Sequence, residues 1–380
     1  MSEPILLRGR AWTGGAIHED VVVEIDDGRF TDVRLTARID DPKPNLDEGL
    51  MIPGLIDLHV HGASGSDFMD GTEEAARNIA RFHLHEGTTA LAATTLSGSS
   101  EAIERAVRSI NAVAARYELG EAAIAGVNLE GPYLNPAKAG AQDPGSLRPA
   151  DPREVTRWLG LAPELSWIMT VAPEIEGVLN LIRELREQIC FAIGHTAADY
   201  GQTVVALEAG ASHFTHLYNA MPPLHHRDPG PVGAALVDAH ATVELIADGI
   251  HLHPAILHSI ATLLPGRACL VTDAMRACGM PDGAYRLHQH EVEVKDGSAR
   301  LSSGALAGST LTMRRALQNM VELAGVPLET VIPLATAVPA RVLGLEGIKG
   351  RITIGHDADL IVLSQKFEIT QVISRGVRVA

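Results

Sequence analysis

Histidines two residues apart occur four times in this chain, at 59/61, 83/85, 251/253 and 288/290. On a strand, side chains alternate, so His59 and His61 share one face and can hold a single metal ion together. On a helix, residues two apart point roughly 200° away from each other. Residues 73–87 read as a helix, because Ala76, Ile79, Ala80 and Leu84 recur at helical spacing and Gly87 ends the pattern. His83 and His85 therefore diverge and are expected to be packed or solvated. His288 and His290 adjoin Glu291-Val292-Glu293-Val294-Lys295-Asp296-Gly297, a polar hairpin by its alternation and its Asp-Gly turn. They are expected on an exposed edge strand. His59-Val60-His61 differs from these, because it closes the apolar run Ile52-Pro53-Gly54-Leu55-Ile56-Asp57-Leu58.

Other polar residues also end apolar runs. Glu130 stands before Gly131-Pro132-Tyr133, a loop opening, where neither packing nor helix capping explains a carboxylate well. His195 ends Ala192-Ile193-Gly194, His216 follows Phe214-Thr215, and Asp273 ends Leu270-Val271-Thr272. A single histidine at a strand end is more often structural than a ligand. Two of them, with a carboxylate and the 59/61 pair on one rim, favour a metal centre. Four imidazoles and two carboxylates suit Zn²⁺ or Fe²⁺ rather than Mg²⁺ or Ca²⁺, which prefer oxygen. Asp273 is open to three readings: a ligand, a salt-bridge partner, or the general base for a water that a metal activates. The reaction class implied is metal-assisted hydrolysis of an amide.

These positions need a scaffold that brings run ends together. Apolar runs at 55–61, 89–95, 124–130, 168–173, 190–195, 213–219, 243–248 and 269–273 alternate with helical stretches. Eight such repeats predict a (β/α)₈, TIM-like barrel, whose active sites form at the C-terminal ends of the strands. A doubly wound sheet also alternates, but no Gly-x-Gly-x-x-Gly follows the first run. Both chain ends are instead rich in short strands: 5–7, 21–25 and 30–33 with a turn at Asp27-Gly28, then 350–355, 359–363 and 372–379. The predicted organisation is a small β-sandwich domain from residues 1–51 and 346–380, flanking a barrel over 52–345.

The 380 residues are 46% hydrophobic, only 4% aromatic, and carry a formal charge of −16. That charge argues against nucleic acid or an anionic membrane as a partner, though not against a small anion held by local cations. Cys190, Cys269 and Cys278 form no Cys-x-x-Cys pair, and the first and second read as buried thiols in strand-like runs. With no signal-like segment over 1–15 and no spanning apolar stretch, a cytoplasmic protein is expected.

The run 52–62 resembles the opening of the amidohydrolase superfamily. Within it, Asn128-Leu129-Glu130-Gly131-Pro132-Tyr133, Gly194-His195-Thr196, Thr215-His216-Leu217-Tyr218-Asn219-Ala220-Met221-Pro222 and Ala247-Asp248-Gly249-Ile250-His251 resemble the N-acetylglucosamine-6-phosphate deacetylase family. Val271-Thr272-Asp273-Ala274-Met275, Leu306-Ala307-Gly308-Ser309 and Leu311-Thr312-Met313 continue the similarity in the same order. The resemblance implies that Glu130, His195 and His216 bind the principal divalent metal. His59 and His61 would add a second, sharing Glu130. It further implies that Asp273 activates water and then protonates the leaving amine. The sugar phosphate would be held at Asn219 and Ala220, by Arg227 and His251, with Ala141 and Leu306 completing the substrate-binding set. His253 is read as a bystander. In relatives a basic residue reaches across a homodimer, so a homodimer is expected here.

Two departures stand out. Some relatives carry Gln-x-Asn in place of His59-Val60-His61 and use one metal, so one or two ions are both open here. Relatives often carry a histidine where this chain has Gln142, whose amide can donate a hydrogen bond to a carbonyl but cannot become a cation. A second metal could take over part of that polarisation. The rival readings are the epimeric N-acetylgalactosamine 6-phosphate as substrate and a cyclic-amide hydrolase of the same superfamily. The latter often uses a carboxylated lysine where Glu130 stands. A non-catalytic barrel has no need of an intact Asp273.

Overall fold

Strands that carry apolar residues on both faces can be buried only between two layers, and this dictates the central feature of the molecule. The computed structural model describes residues 4–35, 43, 45, 46, 49–287 and 290–379. Eight parallel strands follow one another in chain order: Leu55–Val60, Thr88–Thr95, Ala123–Glu130, Ser166–Val171, Cys190–Ile193, His213–Phe214, Thr242–Ile246 and Ala268–Val271. The last returns to the first. The Asp273 N–H donates to the His59 carbonyl at 2.8 Å, and the His61 N–H to the Ala274 carbonyl at 2.9 Å. Buried Asp57 stitches the same seam, accepting from the Thr272 hydroxyl at 2.6 Å. The predicted barrel is thus present, and its closing seam lies beneath His59 and Asp273.

Helices follow the strands and cover their outer faces. Side-chain caps satisfy the exposed N–H groups where helices begin. Thr72 caps Glu73–His85, Ser99 caps Ser100–Ala115, and Asp199 forms a reciprocal box with Gln202 at the start of Tyr200–Ala209. His83 and His85 lie on the first of these helices; His83 is buried and His85 exposed. His253 caps Pro254–Leu263. Among the described residues, no helix is long and apolar enough to cross a membrane.

A separate seven-stranded sheet joins the two ends of the chain. Ile5–Thr13, Ala16–Asp26, Arg29–Arg34 and Leu50–Pro53 come from one end; Leu360–Leu363, Ile369–Ser374 and Val377–Arg378 come from the other. Alternation divides its two faces. Met51, Leu360, Val362 and Ile373 belong to the sheet's own core, whereas Leu50, Ile52, Ile361 and Val372 pack into the barrel core. The run 350–355 is not a strand. Gly350 sits at φ +80°, where an added Cβ would come within 2.8 Å of the Thr336 carbonyl, so the chain turns there instead of extending.

Between the eighth strand and Met313–Glu322, a three-stranded antiparallel sheet is inserted: Gly283–Leu287, His290–Lys295 and Ser298–Leu301. The Asp296-Gly297 turn is where the sequence places it. His290, however, is half-buried on the central strand, because Gly283–Leu287 pairs along its other side. His288 lies outside the described residues.

Candidate active site

The first strand delivers His59 and His61 to one face, as period-2 alternation requires. Their Nε2 atoms lie 3.1 Å apart, and both side chains are almost fully buried. Glu130 ends the third strand and reaches between two histidine pairs. One of its oxygens is 3.0 Å from His195 Nε2 and 3.1 Å from His216 Nε2; the other is 3.3 Å from His61 Nε2. His195 and His216 themselves approach to 3.0 Å through Nε2. Asp273 completes the rim, with Oδ1 3.2 Å from His61 Nε2 and 3.5 Å from His59 Nε2.

Two buried groups can therefore hold a metal ion, His59/His61/Glu130 and Glu130/His195/His216, with the ligand atoms of each within 4.8 Å of one another. The chemistry of the donors fits. His195 Nδ1 lies 2.8 Å from the Lys138 carbonyl and His59 Nδ1 lies 2.9 Å from a Glu244 oxygen. With a proton on Nδ1 at each contact, Nε2 would be the atom offered to a metal beside Glu130, the outer support that ligating histidines use. Charge points the same way. Burial alone would raise the pKa of Glu130, yet His195 and His59 hold it well below the ordinary carboxylate range. Burial would lower that of His59, but Glu244, Asp273 and Glu130 push it up to about 9. The carboxylates favour positive charge at this site, which a divalent cation would supply in place of the ring protons.

The backbone is bent to aim these groups. His195, His216 and Asp273 take φ values of +45°, +26° and +49°, and Ala220 takes +53°. Such left-handed conformations cost of order 1–3 kcal/mol each in non-glycine residues, and they persist where surrounding structure enforces them. Gly308 lets the backbone pass close by; an added Cβ there would stand 3.0 Å from the Asp273 carbonyl.

A cavity of about 370 Å³ opens over these groups, within the range of small-ligand sites, roughly 300–1,000 Å³. His61, Glu130, His195, His216 and Asp273 form its floor. Asn219, Ala220 and His251 lie on its wall, as do Ala141, Gln142 and Leu306. His251 is held by Asp248, 2.6 Å from its Nδ1. Gln142 is oriented at both ends: its amide oxygen accepts from the Ser97 N–H at 2.7 Å, and its amide nitrogen donates to Glu130. Arg227 is not brought in. It is exposed on its loop, does not line the cavity of its own chain, and contacts neighbouring His226.

Three residues absent from the sequence reading contribute. Lys138 lines the cavity with its side chain and holds His195 with its carbonyl. Asp57, on the first strand, and Glu244, on the seventh, are fully buried. Burial raises Asp57 to about 7, partly offset by its bonds from Thr272 and His59. The available signal was a lone carboxylate inside an apolar run, in Ile56-Asp57-Leu58 and Val243-Glu244-Leu245.

Residues 50–379 match the amidohydrolase family. The chain belongs to that family. Among curated relatives of this amidohydrolase is the N-acetylgalactosamine-6-phosphate deacetylase of Escherichia coli O157:H7, 39% identical over 87% of this chain and 88% of the relative. Another is the N-acetylglucosamine-6-phosphate deacetylase of Vibrio furnissii, 38% identical over 98% of this chain and 92% of the relative. In three dimensions it superposes on a variant of the Mycobacterium smegmatis N-acetyl-D-glucosamine-6-phosphate deacetylase in complex with N-acetyl-D-glucosamine 6-phosphate. That match has a TM-score of 0.94 and 34% identity, and covers all of both chains.

Proposed function

We propose that this amidohydrolase cleaves the acetamide of N-acetylglucosamine 6-phosphate, releasing glucosamine 6-phosphate and acetate. The observation that carries this reading is the cavity itself. Its floor joins Asp273 to the two donor groups, and its wall carries Lys138, His251 and Asn219. Glu130, His195 and His216 would hold one ion, and His59 and His61, with Glu130 shared, a second. The nitrogen-rich donor set favours Zn²⁺ or Fe²⁺. A metal held there would supply Lewis acidity, for polarising the acetamide carbonyl and for lowering the pKa of water toward neutrality.

The chain's own residues do the rest. Asp273, which lines the cavity, takes the proton of the attacking water as the new C–O bond forms. It then hands that proton to the sugar nitrogen as the C–N bond breaks. Gln142 has one amide N–H committed to Glu130 and a second left to donate to the carbonyl oxygen of the acetyl group. At the other end of the cavity, Asn219, the backbone at Ala220, His251 and Lys138 suit a phosphate in a chain of charge −16. Arg227 does not line its own cavity, and we assign it to the phosphate of a second copy in a homodimer.

The second reading, N-acetylgalactosamine 6-phosphate as substrate, is favoured by the identity to the E. coli relative. A side-by-side kcat/KM panel decides between them, using both sugar phosphates and both unphosphorylated sugars. The expected result is preference for the gluco phosphate over all three others. Equal use of free and phosphorylated sugar would overturn the phosphate subsite. Arg227→Ala should weaken only the phosphorylated substrates; an equal loss on free N-acetylglucosamine contradicts its assignment.

A further inference from the structure

Glu244 is a carboxylate with no solvent exposure inside a barrel, and every atom it presents is used. Its Oε2 lies 2.9 Å from His59 Nδ1 and accepts the backbone N–H of His216 at 3.0 Å. Its Oε1 lies 3.1 Å from His213 Nε2, whose Nδ1 is 2.6 Å from the Thr242 hydroxyl. Its own carbonyl accepts the Leu217 N–H at 2.9 Å. We propose that Glu244 is a positioning residue that ties the two candidate metal groups together through one buried carboxylate.

Glu244 touches both groups. Toward the first, the carboxylate keeps the His59 proton on Nδ1 and so presents the Nε2 lone pair beside His61 and Glu130. A negative charge behind the ring also makes that nitrogen a stronger donor. Toward the second, Glu244 grips the N–H groups of two consecutive residues, His216 and Leu217, in the turn where His216 is held at φ +26°. A strained backbone of that kind needs neighbours that enforce it. His213 supplies the third contact, so the charge is not left without a partner. A buried pair serving only the barrel interior would need His213 alone; the contacts to His59 and to the His216 turn point to the metal groups.

This proposal rests on the two-ion reading, and its test separates the two. Glu244→Gln keeps an oxygen for His59 and for the His216 N–H, and offers an amide N–H to His213 Nε2. It removes the charge and spares the geometry. Zn²⁺ titration of chelated protein should give two ions in the wild type. In Glu244→Gln the ion at His59/His61 should bind roughly 10–100-fold more weakly, the cost typical of losing a partner behind a metal ligand. The melting temperature of the chelated protein should stay near wild type. His59→Gln should lose the same ion, and adding Glu244→Gln to it should cost the remaining ion nothing further. Two ions of unchanged affinity in Glu244→Gln would overturn this proposal alone. A further loss in the double variant would overturn the route through His59. One ion in the wild type would overturn the two-ion reading, and with it the link between the groups.

Discussion

In the proposed hydrolysis a proton would change hands twice at Asp273. Burial would raise its pKa, but His59 and His61 hold it below the ordinary aspartate value, so it is ionised at neutrality. Its backbone is fixed on both sides, donating to His59 and accepting from the Ser309 N–H at 2.7 Å. Asp273→Asn keeps the shape and removes the base. It should lower kcat by roughly 10²–10⁴-fold, the contribution usual for general acid–base catalysis, while the metal content measured on the same sample stays at the wild-type value. A variant with near wild-type kcat would remove Asp273 from the proton path. The strand-end residues were legible because each closes an apolar run with a group that packing does not want. Glu244 and Asp57 were not, since their meaning lies in partners such as His59 and Thr272. Glu244 meets His59 across 185 positions and Asp57 meets Thr272 across 215, and only barrel closure brings them together.

Element by element, the eight barrel runs were readable because parallel strands buried on both faces carry an unbroken apolar signal. The sixth shows the limit. The run 213–219 is a strand only over His213–Phe214, and the rest is the bent loop that presents His216. The chain ends were legible as strands by alternation, apart from 350–355, which turns at Gly350 against Thr336, and 372–379, which a turn at Arg375-Gly376 divides into two strands. The Gly350 turn follows a buried cation that no pattern announces. Lys349 is 6% exposed, and its Nζ lies 2.6 Å from Asp359 and 2.8 Å from Asp357. Burial would lower its pKa, but the two carboxylates raise it above the usual lysine value. A raised cation contributes its full stabilisation below the unfolded pKa and loses it as pH climbs through the folded one. The ion pair should therefore persist through neutrality and weaken only in strongly alkaline solution. Lys349→Met leaves Asp359 buried without its cation, and breaking a buried pair costs about 3–5 kcal/mol. Urea unfolding at pH 7 should show that loss, and the gap to wild type should narrow above the ordinary lysine pKa. A constant gap would assign the effect to packing alone.

For the molecule as a whole, the metal groups and the barrel seam are one construction. Their ligands come from the first, third, fifth and sixth strands, and the seam hydrogen bonds run through His59, His61 and Asp273. A cation held there binds a geometry that the unfolded chain does not have, so binding is coupled to folding. By mass action it stabilises the native state by about 2.7 kcal/mol at a free metal concentration 100-fold above Kd, and about 4.1 kcal/mol at 1,000-fold. Chelation should accordingly lower the melting temperature, and Zn²⁺ should restore it in proportion to the logarithm of free ion. The control is His195→Asn with His216→Asn, which removes the principal group but leaves both loops in place; its melting temperature should respond weakly to the same titration. If chelated wild type, shown by elemental analysis to hold no metal, melts at the temperature of the loaded protein, the buried imidazoles are structural and do not hold an ion. If the double variant responds as strongly as wild type, the ion sits elsewhere in the molecule. The expected pattern, a logarithmic rise in wild type and a shallow one in the variant, would show that the site reports on the closure of the entire barrel.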